Sequence, residues 1–196
     1  MKKNLYGIAA LTLLGIFSFS FISCSKEDVR NTETQSNVAK TANNPGHFIT
    51  IDSKTIYGEE ITNSVYKENE LTLVNVMATW CGPCVKELPE LQQIHQENNG
   101  FGVVGVVVDT FDEVSGATIE TAVNEAKNIA EKTGAKYPLT IPTKTFLQQT
   151  LKKSAALLPM SFIVDKEGKI VKGPIAGAKN KTQWLNILTS VQESLN

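Results

Sequence analysis

The segment Trp80-Cys81-Gly82-Pro83-Cys84 constrains this chain more than any other. It follows Leu71-Thr72-Leu73-Val74-Asn75-Val76-Met77, an almost uninterrupted apolar run of the kind that forms a strand buried on both faces. It precedes Val85, Leu88, Leu91 and Ile94, whose three-residue spacing predicts a helix stopped at Asn98-Asn99-Gly100. A Cys-x-x-Cys pair between a buried strand and a helix has definite chemical consequences. Cys81 falls at the helix N-terminus, where unpaired amides and the helix dipole favour a thiolate. Cys84 lies one turn further in, placed to resolve a mixed disulfide. Gly82-Pro83 constrains the turn, because a proline in the first helical turn gives up an amide that has no partner there.

The other cysteine, Cys24, belongs to a different part of the chain. Lys2 and Lys3 are followed by an apolar stretch from Leu5 to Ile22 and then by Ser23-Cys24. A positive start, an apolar core and a small residue before a cleavage point make a secretory signal peptide. The run is also at the margin of an uncleaved membrane anchor. Phe21-Ile22-Ser23-Cys24 resembles a bacterial lipobox, which implies removal of residues 1–23 and a lipid on Cys24 that holds the protein to a membrane surface. Cys81 and Cys84 are then the only thiols left. A bridge between them closes almost no loop and contributes little stability through chain entropy, so redox turnover explains the pair better than structure does.

Residues 24–46 form the next unit. From Ser25 to Gly46 the chain is Ser, Thr, Asn, Lys and Glu with hardly a large apolar side chain, which reads as a flexible tether. At about 5–6 Å × √n such a tether spans a few tens of ångströms. Ser25-Lys26-Glu27-Asp28 resembles the surface-export signal of some Gram-negative lipoproteins, and reads equally as a solvated linker.

The folded unit is expected over residues 47–196. Phe48–Ile51 and Thr55–Tyr57 flank Asp52-Ser53-Lys54 and predict a hairpin. After the Cys-x-x-Cys helix come a buried strand from Gly102 to Val108, ending at Asp109, and a helix from Ala117 to Thr133 closed by Gly134. A short strand over Tyr137–Ile141 precedes a helix capped by Thr143 and running to about Lys153. Ser161–Val164 and Lys169–Lys172, joined at Asp165-Lys166-Glu167-Gly168, are further strands, and Trp184, Ile187, Leu188 and Val191 line a last helix. This order predicts an α/β fold whose central mixed sheet is flanked by helices.

Composition narrows the function. The formal net charge is −1, and removal of residues 1–23 leaves 17 basic side chains against 20 acidic ones. Without a basic surface or interleaved aromatics, nucleic acid is not an expected partner. Zinc wants about four ligands, and beyond the cysteine pair the domain offers His47, His95 and carboxylates, so no metal is expected.

Trp80-Cys81-Gly82-Pro83-Cys84 resembles the active site of thioredoxins. Together with Val74-Asn75-Val76-Met77-Ala78-Thr79 it resembles the TlpA/ResA-like branch of exported thioredoxin-fold proteins, over roughly His47 to Asn196. The resemblance implies a thioredoxin-like fold with an extra inserted helix at Ala117–Thr133 and the N-terminal hairpin. Pro89 matches the proline that kinks the active-site helix, and Pro159 the cis-proline whose loop faces the cysteines and docks substrate backbone. The buried acid of cytosolic thioredoxins falls at Asn75, which is no carboxylate. Glu87 is the replacement implied by ResA-like proteins, three residues after Cys84 and on the same helical face. A peroxiredoxin pattern fails, because Ala78 and Val74 stand where threonine and proline are required.

The implied activity is thiol–disulfide exchange, with Cys81 as nucleophile and Cys84 as resolving thiol, supported by Trp80, Gly82, Pro83, Glu87 and Pro159. The redox-active disulfide Cys81–Cys84 takes the place of a cofactor. Implied partners are proteins bearing disulfides or thiols and a membrane or envelope electron donor, with the chain acting as a monomer in the bacterial cell envelope, periplasm-facing or surface-exposed. A Gly-Pro dipeptide between the cysteines resembles reducing members, among them those of cytochrome maturation. The oxidising or isomerising direction, or a non-catalytic binding or chaperone module on the same scaffold, are the alternatives.

Overall fold

The computed structural model describes residues 47–97, 99–151 and 157–196. The signal peptide, Cys24 and the tether therefore lie outside the described residues, as does Lys153. Five strands form one sheet in the order β5-β4-β3-β6-β7, where β3 is Leu71–Met77, β4 Phe101–Val107, β5 Leu139–Thr140, β6 Met160–Val164 and β7 Ile170–Ala176. Strands β3, β4 and β5 run parallel, β6 is antiparallel to β3, and β7 is antiparallel to β6. The two apolar runs expected to form buried strands are the adjacent central strands β3 and β4, buried at every position. Asn75 stands opposite Gly105 on one side and Ser161 on the other.

Alternation along β3 and its neighbours divides the core by sheet face. Leu71, Leu73 and Met77 pack with helices α1 (Gly82–Glu97), α2 (Glu120–Thr133) and α4 (Lys181–Leu195). Val74 and Val76 pack on the other face with Phe146 and Leu147 of α3 (Lys144–Thr150) and with Ile49, Ile51 and Tyr66. Helix α4 opens with a reciprocal cap between Asn180 and Gln183 and buries Trp184, Leu188 and Val191, each contributing roughly 1.5–3 kcal/mol of apolar burial. Gly134 ends α2 in the left-handed conformation, as its position at the end of the periodic run predicts. Thr143 caps α3 by accepting the Phe146 amide.

The hairpin is displaced from its expected position. Its strands are β1 (Asp52–Lys54) and β2 (Glu60–Thr62), so the residues expected to turn form a strand. The turn lies at Thr55–Glu59, held by the Thr55 carbonyl and hydroxyl, with Gly58 at φ 89°. Ile49, Ile51 and Ile56 are buried as apolar residues should be. Their amides bond instead to Gly168, Asn63 and Leu139, so the segment is stitched to several elements rather than to itself.

Other boundaries shift for local reasons. Helix α2 begins at Glu120 because Thr118 bridges to Phe111 and the Ile119 amide bonds to Thr110. Strand β7 extends through Gly173-Pro174 to Ala176, which an edge position tolerates because proline's missing amide has no ladder partner to lose. A side chain at Gly173, φ 136°, would bring its Cβ to 2.8 Å from Phe162.

Candidate active site

Cys81 and Cys84 are joined as a disulfide at the junction of β3 and α1, with Cα atoms 5.3 Å apart. Cys81 immediately precedes the first residue of α1, and its carbonyl accepts the Val85 amide in the helical pattern. Its Sγ accepts the Cys84 amide at 3.3 Å, so an N-terminal N–H of the helix points at the sulfur that carries charge when the bridge opens. Cys84 is fully buried and Cys81 is 5% exposed, whereas Trp80 beside them is 72% exposed. Cys81 is thus the less deeply buried of the pair, next to an aromatic surface.

The loop that delivers the pair is pinned from β4. Asp109 follows that strand and accepts the Thr79 amide with both carboxylate oxygens at 3.1 Å, and the Thr79 hydroxyl as well. Pro159 precedes β6, and the Leu158–Pro159 bond is cis. Because Met160 pairs with Val76, the antiparallel register sets Pro159 beside the end of β3 from which Cys81 departs. Pro89 lies inside α1.

Glu87 is buried at 2% exposure, not solvated on the helix surface. Its Oε2 accepts the Asn75 side-chain amide at 3.1 Å, and its Oε1 accepts the Lys179 backbone amide and the Trp184 indole N–H, each at 2.8 Å. Asn75 also donates to the Ser161 hydroxyl at 3.1 Å. Burial pushes the Glu87 carboxyl above the usual carboxylate range, while these hydrogen bonds and the nearby Lys179 charge pull it back. Tyr137, wholly buried with its hydroxyl unpaired, is pushed well up by burial and then by the Glu87 charge. Carboxyl, amide and hydroxyl thus form a polar layer between α1 and the sheet, below the helix turn that holds Cys84.

Of the residues expected in the site, the structure joins Cys81 to Cys84 and buries Glu87 against Asn75; Asp109, Ser161, Lys179 and Trp184, which were not expected there, bond to this set. Trp184 carried a usable signal, because a core-facing indole must find an acceptor for its N–H. Among the described residues, no group of three or more His, Cys, Asp or Glu side chains is placed to hold a metal ion. No described helix is long and apolar enough to cross a membrane.

Residues 30–187 match the Redoxin family profile, which is most of the chain. The chain belongs to the redoxin family. A thiol-disulfide oxidoreductase ResA from Bacillus cereus is 34% identical over 118 residues, 60% of this chain and 61% of that protein. The match to this relative thus spans less than two thirds of its length. ResA from a second Bacillus cereus strain is 28% identical over 194 residues, 97% of this chain and 99% of that protein. Among solved structures, a thioredoxin-family thiol:disulfide interchange protein from Chlorobium tepidum superposes with a TM-score of 0.61 at 23% identity, covering 76% of this chain and 97% of that one. The fold is thioredoxin-like.

Proposed function

We propose that this redoxin is an exported, membrane-anchored thiol–disulfide oxidoreductase that reduces protein disulfides. The observation that carries the reading is the Cys81–Cys84 bridge itself, set on a helix N-terminus with Cys81 the less deeply buried of the two. In the dithiol form, the Cys81 thiolate attacks one sulfur of a substrate disulfide, forming a Cys81–substrate bond and releasing the other substrate sulfur as a thiolate that takes up a proton. Cys84 then loses its proton and attacks Cys81 Sγ. The Cys81–Cys84 bond forms, the intermolecular bond breaks, and the second substrate sulfur leaves as a thiol. Two electrons have passed to the substrate, and a dithiol donor in the membrane or envelope must return two electrons and two protons.

The supporting residues take roles that their positions favour. Glu87 accepts the Cys84 proton, since the two are three residues apart on one helical face and both buried. The Pro159 loop and exposed Trp80 receive the substrate backbone beside Cys81. The lipobox at Cys24 supports a lipid anchor, and the resemblance of Val74–Cys84 to exported thioredoxin-fold proteins supports an extracytoplasmic site and a role such as cytochrome maturation. The Gly82-Pro83 dipeptide supports the reducing direction.

The test uses two variants on a disulfide-bonded protein such as insulin. Cys81→Ser should lose all catalysis above solvent background. Cys84→Ser should accumulate a covalent Cys81–substrate adduct, visible by mass spectrometry under non-reducing conditions. Retained turnover in Cys81→Ser, or an adduct on Cys84 in the wild type, overturns the assignment.

A further inference from the structure

Every polar contact that the described residues make to Glu87 is a donor. Its Oε1 takes two N–H groups, the Lys179 amide and the Trp184 indole, at 2.8 Å, and its Oε2 takes the Asn75 amide at 3.1 Å. An indole and a backbone amide cannot accept a hydrogen bond, so a proton on Oε1 has no acceptor among them. Asn75 is itself oriented by Ser161, which accepts its other N–H. The cradle therefore suits the carboxylate and opposes the acid, against the burial that favours the acid.

Two of these three donors come from one corner, where the link after β7 enters α4. Lys179 brings its amide to Glu87 and turns its ammonium away, onto the Ala176 and Gly177 carbonyls at 2.8 and 2.7 Å. That ammonium lies 4.9 Å from the centroid of Trp184, holding the indole whose N–H reaches Glu87. Trp184 has no exposure at all, although it lies only four residues into α4.

We infer that Trp184, clasped by Lys179, is a positioning residue that sets how readily Glu87 accepts a proton, and through it the pH at which Cys84 resolves the mixed disulfide. The inference rests on the reading of Glu87 as the acceptor of the Cys84 proton. The titratable and charged groups around the carboxyl are Cys84 on its own helix, Tyr137 ahead of β5 and Lys179 ahead of α4. Asn75 and Ser161 of the sheet are neutral, and His95 lies beyond Tyr137, its ring 6.2 Å from the phenol. Glu87 must be ionised to take a proton. Loss of a donor makes the carboxyl easier to protonate, so the acid limb of the resolving step moves to higher pH.

The experiment follows the Glu87 carboxyl by carbon-detected NMR titration of the oxidised protein, and separately the pH dependence of mixed-disulfide resolution. Trp184→Phe should make protonation about 10- to 100-fold easier, a rise of one to two pH units, and should move the acid limb with it. Lys179→Met keeps the backbone donor and should shift both in the same direction by about threefold. Should Trp184→Phe not fold, the wild-type Trp184 indole N–H resonance carries the test, because it should shift with the Glu87 midpoint. Leu188→Ala, buried on the same helix, should lose stability without moving either midpoint. An unchanged Glu87 midpoint in Trp184→Phe, or an indole resonance insensitive to that midpoint, overturns the inference. Glu87→Gln separates the two layers, because an acid limb that persists unmoved in that variant refutes Glu87 as the acceptor whatever Trp184 does.

Discussion

The two faces of the central sheet are built from the same strands and differ in what they bury. Toward α3, strand β3 presents Thr72, Val74 and Val76; among the described residues on that side, Thr140 and Thr150 each bond one backbone carbonyl, and the hydroxyls of Thr72 and Tyr66 have no hydrogen-bond partner. Toward α1 and α4, the same strand presents Leu73, Asn75 and Met77, and Asn75 opens a linked layer through Glu87, Ser161 and Trp184. An unpartnered buried hydroxyl weakens a core by up to a few kcal/mol, whereas a fully donated carboxylate has a defined charge state to offer chemistry. Polar burial on the first face is incidental to packing. On the second it lies within a helical turn of Cys84, and nearly every hydrogen-bonding atom is matched.

Substitutions should therefore act differently on the two faces. The largest effect belongs to Phe146→Ala, which empties a buried ring on the α3 face. It should lower unfolding stability by about 3–5 kcal/mol in denaturant titration and leave the pH profile of disulfide exchange in place; a displaced profile would show that the faces are coupled. Asn75→Asp should come next, placing a second carboxyl within hydrogen-bond reach of Glu87. Two such acids share a proton, so at neutral pH the variant should lose about 2–4 kcal/mol relative to the wild type and recover part of it in acid. Equal losses at pH 5 and pH 8 would mean that the layer is sensed only as volume.

A smaller effect tests the charge of Glu87 directly. Its folded-state proton affinity is raised above the unfolded value of 4.5 by burial. The stability associated with that protonation is complete below pH 4.5 and is lost as pH rises through the higher folded value. Wild-type stability should decline across that window, and Glu87→Gln should flatten the decline. A slope identical in the two proteins would place the titration on another group. The smallest change is expected for Thr72→Val, which replaces an unpartnered hydroxyl by a methyl of the same shape. Its stability should stay within about 1 kcal/mol of the wild type or rise slightly; a larger loss would reveal a partner for Thr72 Oγ1.

Features of the site local in the chain were legible in the sequence, and those assembled across it were not. The strand, Cys81, Cys84 and the helix are contiguous, so run length and spacing were enough to place them. Glu87 was legible as a helical neighbour of Cys84, but its burial depends on α4, 97 residues from Glu87 at Trp184, and on the corner at Lys179. The hairpin shifted for the same reason. Alternating apolar residues around Ile49 and Ile56 report burial correctly, yet their amides pair with Gly168 and Leu139, which no local pattern specifies.

The most direct measurement is the equilibrium reduction potential of Cys81–Cys84, read by thiol alkylation in dithiol redox buffers. A reducing role with Gly82-Pro83 between the cysteines requires a reversible two-electron midpoint at or below about −200 mV, toward the thioredoxin value near −270 mV. A midpoint above about −150 mV, approaching the oxidant DsbA, contradicts it.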